Sequence, residues 1–140
     1  MAVLSSRIQY LNDKIGASAA LDIAVLSYYI LSHLGLTYGA LICESEDVNP
    51  KILTSILIDS LSSDTEELKN FGNCLEQNEF SSPGASVNVY SNILDKILTY
   101  ANKKNLNDRI PKFANQIFKD GIKHGLANEE VVSLIKLLRN

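Results

Sequence analysis

Residues 23–43 read Ile-Ala-Val-Leu-Ser-Tyr-Tyr-Ile-Leu-Ser-His-Leu-Gly-Leu-Thr-Tyr-Gly-Ala-Leu-Ile-Cys, a run of 21 residues without a formal charge between Asp22 and Glu44. The apolar side chains of this run fall on more than one face of a helix. A helix that is apolar all round is typical of the middle of a helical bundle. We therefore expect a buried central helix from about residue 17 to residue 34, followed by a break at Gly35 and Gly39.

The same run is long enough to cross a lipid bilayer. However, Ser27, Ser32, His33, Thr37 and two glycines dilute its apolar character, and no cluster of Lys or Arg flanks it. Transmembrane helices carry such basic flanks on their cytoplasmic side. We therefore expect a soluble protein with no membrane partner.

The rest of the chain also has apolar residues at helical spacing. Asn49-Pro50 is a helix start, because asparagine is a good N-cap and proline is tolerated at the first helical position. Ser63-Asp-Thr-Glu66 has the spacing of a capping box. Together the patterns predict an all-α protein, a single compact bundle of six or seven short helices. Further apolar stripes cover residues 4–15, 52–61, 68–75, 89–101, 110–121 and 131–138.

The clearest loop is Phe80-Ser-Ser-Pro-Gly-Ala-Ser86, in which every residue after Phe80 is small or favours turns. With 140 residues, the chain has the length of one domain, so we expect a single helical domain over residues 1–140. Within it, residues 80–86 are the predicted boundary between two sub-bundles.

Charge is distributed unevenly along the chain. Residues 1–90 hold 4 Lys or Arg against 11 Asp or Glu, whereas residues 91–140 hold 9 against 5. Such a split favours contact with other proteins or with a polyanion. We name the two candidate partner-binding sets by their charge. The acidic pole is Glu44, Glu46, Asp47, Asp64, Glu66 and Glu67, and the basic pole is Lys103, Lys104, Arg109, Lys112, Lys119 and Lys123.

From this split the sequence predicts a non-enzymatic interaction domain. It would self-associate or bind a partner helix, through apolar grooves and the two oppositely charged poles. A second hypothesis is a subunit of a nucleoprotein assembly whose basic pole contacts nucleic-acid phosphates.

The sequence contains no pattern that indicates catalysis, a metal site, a cofactor or a small-molecule substrate. It lacks Gly-x-Gly-x-x-Gly and the phosphate-binding loop Gly-x-x-x-x-Gly-Lys-Ser/Thr. Cys43 and Cys74 lack metal-ligand spacing and suit thiols in a reducing cytoplasm. His33 is expected in the core or at a cap, and His124 is expected to pair with Asp120 on a helix surface. We therefore expect no enzyme activity and no cofactor.

Two segments carry a resemblance to a known family. Phe118-Lys-Asp-Gly-Ile-Lys-His-Gly125 and Gly35-Leu-Thr-Tyr-Gly-Ala-Leu-Ile42 resemble the signature at the entry to the central helix of the apoptosis-regulator (B-cell lymphoma) family. In the first segment His124 stands where that family has tryptophan, and Leu126 stands where it has arginine. The resemblance implies a divergent helical bundle that binds a partner helix.

Overall fold

The computed structural model describes residues 16–139, which form six α-helices and one 3-10 turn, with no strand assigned within that range. The all-α class and the number of helices predicted from the sequence are confirmed. The helix predicted over residues 4–15 lies outside the described residues. The helices are α1 (Ala17–Glu44), α2 (Pro50–Asp59), α3 (Leu61–Gln77), α4 (Val87–Lys103), α5 (Arg109–Lys123) and α6 (Ile135–Leu138), and the 3-10 turn is Val131–Leu134.

The chain divides into two compact units, and the division falls within α1, between Thr37 and Tyr38. The first unit contributes the N-terminal part of α1. The second contains the end of α1 and all the later helices. Whether residues 1–140 act as one helical domain, with a sub-bundle boundary at 80–86, stays a prediction.

Helix α1 differs from its prediction in length and in burial. It spans 28 residues and continues through Gly35 and Gly39 to Glu44. A glycine inside a helix costs about 1 kcal/mol relative to alanine but keeps its backbone hydrogen bonds, so the helix need not end there. Gly39 also allows a close approach, because a Cβ atom there would lie 3.0 Å from the Leu53 side chain. The expectation of a buried helix is wrong, since Ile23 is 69% exposed.

Helix α2 begins as predicted. Asn49 is the N-cap residue, and its Oδ1 accepts a hydrogen bond from the backbone N–H of Lys51 at 3.0 Å. The predicted capping box at residues 63–66 is wrong, because α3 already begins at Leu61 and Ser63 lies inside its first turn. Ser60 alone separates α2 from α3.

Helices α4 and α5 pack against each other and against the C-terminal 3-10 turn. Their bounds agree with the predicted stripes, and Pro111 lies in the first turn of α5, where its missing N–H costs no hydrogen bond. Val87 and Ala101 are buried, and the rings of Tyr90 and Phe118 lie 5.9 Å apart. The apolar stripes of these two helices therefore form much of the core of the second unit.

The C-terminal segment is tied to the loop that precedes α4. Glu130 caps the 3-10 turn by accepting a hydrogen bond from the N–H of Val131 at 3.0 Å. Ser86 and Glu130 form an isolated antiparallel bridge. The predicted last helix over residues 131–138 is therefore a 3-10 turn that continues into the four-residue helix α6.

Candidate functional site

The N-terminal part of α1 presents an exposed apolar surface. Ile23, Ile30 and Leu31 are 69%, 62% and 60% exposed, and Leu26, Tyr28 and Leu34 are also exposed. A surface of this kind usually marks a site of contact, because burying apolar area lowers the free energy by about 25 cal/mol per Å². By length and composition α1 could also span a membrane, a property that it shares with helices buried in soluble proteins.

One stripe along α1 carries three side chains with ionisable groups. Asp22 is the one charged residue between Ala17 and Cys43. Residues 22, 26, 29 and 33 follow one another at steps of four, three and four, which places them on one face of a helix. The stripe therefore contains the carboxyl group of Asp22, the phenol of Tyr29 and the imidazole of His33, with Leu26 between the first two. Asp22 and Tyr29 are about 10 Å apart along the helix axis.

The backbone of α1 orients His33. Its Nδ1 lies 2.6 Å from the carbonyl oxygen of Tyr29, so this nitrogen carries the hydrogen that the carbonyl accepts. Thr37 in turn donates its hydroxyl to the carbonyl oxygen of His33 at 2.8 Å. The sequence predicted His33 either in the core or at a helix cap. The core position is wrong, because the side chain is exposed.

The structure brings one member of the acidic pole against one member of the basic pole. The ammonium of Lys104 lies 2.6 Å from a carboxylate oxygen of Glu46, and the hydroxyl of Tyr100 donates to the same carboxylate at 2.7 Å. The hydrogen bond from Lys104 is the main cause that lowers the pKa of Glu46, and the pKa of Lys104 is raised in return. These two side chains pair within the chain.

Three further lysines of the basic pole also pair within the chain. Lys119 lies 2.6 Å from Asp95. Its hydrogen bond, followed by one from Asn115, lowers the pKa of Asp95. The other two pairs are Lys112 with Asp108 at 2.8 Å and Lys123 with Asp120 at 3.4 Å.

The remaining two residues of the basic pole are Lys103 and Arg109. Lys103 lies in the last turn of α4, and the backbone N–H of Arg109 donates to the side-chain oxygen of Asn107 at 3.1 Å.

The acidic pole is spread over several elements. Glu44 ends α1, Asp47 has a left-handed backbone with φ of 56°, and Asp64 lies in the first turn of α3. Glu66 pairs with Lys69 at 2.8 Å, one turn away. Whether either pole binds a partner stays a prediction.

A cavity of about 350 Å³ gathers carboxylates that are distant in sequence. The hydroxyl of Tyr90 donates to Glu67 at 3.2 Å. Burial, and then the charge of Glu67, raise the pKa of Tyr90. The cavity is lined by Glu66, Glu67, Asn70, Gly84, Ala85, Tyr90 and Glu130.

His124 caps α5 instead of pairing with a carboxylate. Its Nδ1 lies 2.8 Å from the backbone carbonyl of Asp120, not from the side chain of that residue. The carboxylate of Asp120 accepts hydrogen bonds from Gln116 instead, which, with a weaker contribution from Lys123, lower its pKa. The predicted surface pair of Asp120 and His124 side chains is therefore wrong. Cys43 and Cys74 are half-buried free thiols.

Several solved structures share this helical fold. An imine reductase from Myxococcus stipitatus in complex with NADP+ is 16% identical over 89% of this chain and 46% of that chain, with a TM-score of 0.81. A reductive aminase from Aspergillus terreus in complex with NADPH4, cyclohexanone and allyl amine is 17% identical. The match covers 94% of this chain and 46% of that chain, with a TM-score of 0.81. An imine reductase from Bacillus cereus is 14% identical over 89% of this chain and 43% of that chain, with a TM-score of 0.78.

A family model agrees with this similarity. The chain belongs to the family described as NADPH-dependent reductive aminase-like, C-terminal domain, whose model matches residues 14–140. Among curated proteins, none matches the chain significantly. The chain spans less than half the length of the solved structures that it resembles.

Membership of this family overturns the predicted function. The predictions of a non-enzymatic interaction domain, a nucleoprotein subunit and a divergent apoptosis regulator are wrong, because the matched family is a domain of reductive enzymes. The expectation of no small-molecule substrate does not fit membership of a family of reductive-aminase-like domains. At least four of the six residues of the basic pole pair with carboxylates inside the chain.

The cavity lined by Glu66, Glu67 and Glu130 does not fit NADPH. The sequence has no dinucleotide-binding fingerprint, and the cavity described above is lined by Glu66, Glu67 and Glu130. Carboxylates repel the phosphates of a dinucleotide. We therefore assign no NADPH contact to this cavity. Sequence reasoning did not single out Asp22, although it bounds the uncharged run and is the one charged residue between Ala17 and Cys43.

Proposed function

We propose that this chain is the helical domain of an enzyme that reduces C=N bonds in small imines, with NADPH as the reductant. The observation that carries the proposal is the family match over residues 14–140. The fold supports it, since imine reductases and a reductive aminase superpose on this chain with TM-scores near 0.8. NADPH would be bound by a protein region outside these 140 residues.

We further propose that the enzyme is a homo-oligomer in which a second copy covers the exposed face of α1. The support is the exposure of that face, where Ile23, Ile30 and Leu31 are each at least 60% exposed. Contiguous exposed apolar residues often mark a surface that contacts another protein. A symmetric dimer is the commonest way to cover such a face. The two free, half-buried thiols suit a cytoplasmic enzyme.

In this assembly we propose that Asp22 supplies a proton to the reaction. Reduction of a C=N bond adds a hydride to carbon and a proton to nitrogen, so the site needs an acid. Asp22 is the one carboxyl group on the apolar part of α1. A positioned carboxyl group is one of the usual general acids in enzymes. Tyr29 and His33, on the same stripe, would orient the substrate or relay protons.

A chimaera tests the proposed function. Residues 14–140 replace the matched part of the Aspergillus terreus reductive aminase, and NADPH consumption is followed by absorbance with cyclohexanone and allyl amine. We expect turnover that needs both the ketone and the amine. A folded chimaera that binds NADPH but consumes none with any ketone and amine pair would contradict the proposal.

The role of Asp22 is tested in the same chimaera. We expect Asp22→Asn to lower kcat by about 10²- to 10⁴-fold, the usual contribution of a positioned acid. Asp59→Asn is the matched control, because Asp59 is an exposed carboxylate at the end of α2. Equal activity of the two variants would remove Asp22 from the reaction and leave the domain assignment intact.

A further inference from the structure

The loop between α3 and α4 is held by the C-terminal segment. We call residues 80–86 the strap. The backbone N–H of Glu130 donates to the carbonyl oxygen of Phe80 at 2.8 Å, at the start of the strap. At its end, the N–H of Val87 donates to the carbonyl oxygen of Glu129 at 3.0 Å. Both ends of the strap are therefore fixed to one short stretch of chain.

The carboxylate of Glu130 also holds the middle of the strap. Glu130 is only 5% exposed. One of its oxygens accepts from the N–H of Gly84 at 2.8 Å, and the other accepts from the N–H of Val131 at 3.0 Å. Hydrogen bonds to a charged acceptor are stronger than those between neutral groups, and burial strengthens them further.

The strap has one apolar anchor. Phe80 is 5% exposed, and the ammonium of Lys136 lies 4.5 Å from the centre of its ring. By contrast, Ser81, Ser82 and Gly84 are exposed and have little or no apolar side chain to bury. Segments with few buried apolar contacts open at low free energy, so polar contacts decide whether this part stays closed.

The strap forms one wall of the cavity described above. Gly84 and Ala85 line it from the strap, and Tyr90 lines it from α4. The Glu130 carboxylate lines the same cavity, so the group that holds the strap lies beside the space that the strap borders.

We propose that the strap is a movable wall of this cavity and that the buried carboxylate of Glu130 is the latch that holds it in place. When the hydrogen bond between Gly84 and Glu130 breaks, residues 81–85 move away while Phe80 and Val87 stay anchored. The cavity then widens on the strap side. This inference does not rest on the proposed enzymatic function.

Hydrogen exchange in the unmodified chain gives the first test. Amide exchange is measured residue by residue at increasing, sub-denaturing urea concentrations. We expect the Gly84 amide to exchange through a local opening, at a rate at least about tenfold higher than that of amides in the middle of α4. The rate at Gly84 should depend little on the urea concentration. Exchange of Gly84 only through global unfolding, at the same rate as α4, would overturn the proposal.

Glu130→Gln gives the second test. Glutamine has the same shape but only one acceptor oxygen, so its NH2 group must face one of the two N–H donors. We expect exchange at Gly84 or Val131 to rise by about tenfold or more, with α5 unchanged. Glu76→Gln is the control, because Glu76 is an exposed carboxylate on α3. Equal exchange in both variants, or a uniform rise throughout Glu130→Gln, would contradict the latch.

Discussion

The ammonium of Lys104 lies 2.6 Å from the carboxylate of Glu46 and joins the end of α4 to the loop that follows α1. The two residues belong to the opposite charge poles that the sequence suggested as separate surfaces for partners. Their ion pair shows that residues from the two differently charged halves of the sequence meet within one chain.

Glu46→Gln tests this ion pair through pH. Because the Lys104 hydrogen bond lowers the pKa of Glu46 from 4.5, the carboxylate stabilises the fold at pH values above 4.5. That stabilisation is lost as the pH falls through the lowered pKa. We expect urea unfolding to show Glu46→Gln less stable than wild type at neutral pH and equal to it in acid. Because the pair is exposed, the effect should be small and should shrink in high salt.

Glu76→Gln is the matched control for that experiment, since it removes the same charge from an exposed site on α3. An equal loss of stability in both variants would mean that net charge, and not the pair with Lys104, is responsible.

Gly121→Ala tests the packing of α5 against the C-terminal turn. A Cβ atom at Gly121 would collide with the side chain of Leu134 and lie 3.5 Å from Val87. We expect a loss of about 1–3 kcal/mol in the free energy of unfolding, the usual cost of overpacking. Gly72→Ala is the control, because a Cβ atom there meets nothing within 4 Å. It should gain up to about 1 kcal/mol from helix propensity.

Asn49→Ala tests the start of α2. Removing the Oδ1 acceptor leaves the N–H of Lys51 without its cap, so we expect a loss of about 1 kcal/mol, measured by thermal or urea unfolding. Ser63→Ala should be neutral or slightly stabilising, since Ser63 lies inside α3 and caps nothing. A loss at Ser63 as large as that at Asn49 would revive the predicted capping box.

Ile30→Asp tests the proposed homo-oligomer. Ile30 is 62% exposed on α1, and a charge there would be expensive to bury between copies. We expect light scattering to show an oligomer for the wild type and a smaller species for the variant. Thr54→Asp, at an exposed position of α2, should keep the wild-type mass. Because the face is apolar, the wild-type oligomer should persist in high salt, whereas dissociation by salt would point to charge pairing instead.

Local patterns were sufficient for much of the helical fold. The stripes of α4 and α5, the Asn49 cap and the loop at residues 80–86 were predicted from the sequence and are confirmed. Each depends on residues within a few positions of one another, which is the range over which helix periodicity and capping act. The capping box failed because Ser63 has the correct spacing but lies within a helix that begins earlier.

The sequence by itself determined that this protein is α-helical and that α1 is apolar all round, because side-chain spacing along a helix fixes its faces. Only the tertiary structure decided that α1 is exposed, that Glu46 meets Lys104, and that Glu130 holds Gly84, which is 46 residues away. An apolar stripe has the same sequence whether its own chain or a second copy covers it. Pairs that are far apart in sequence depend on how the helices pack, which local spacing does not encode.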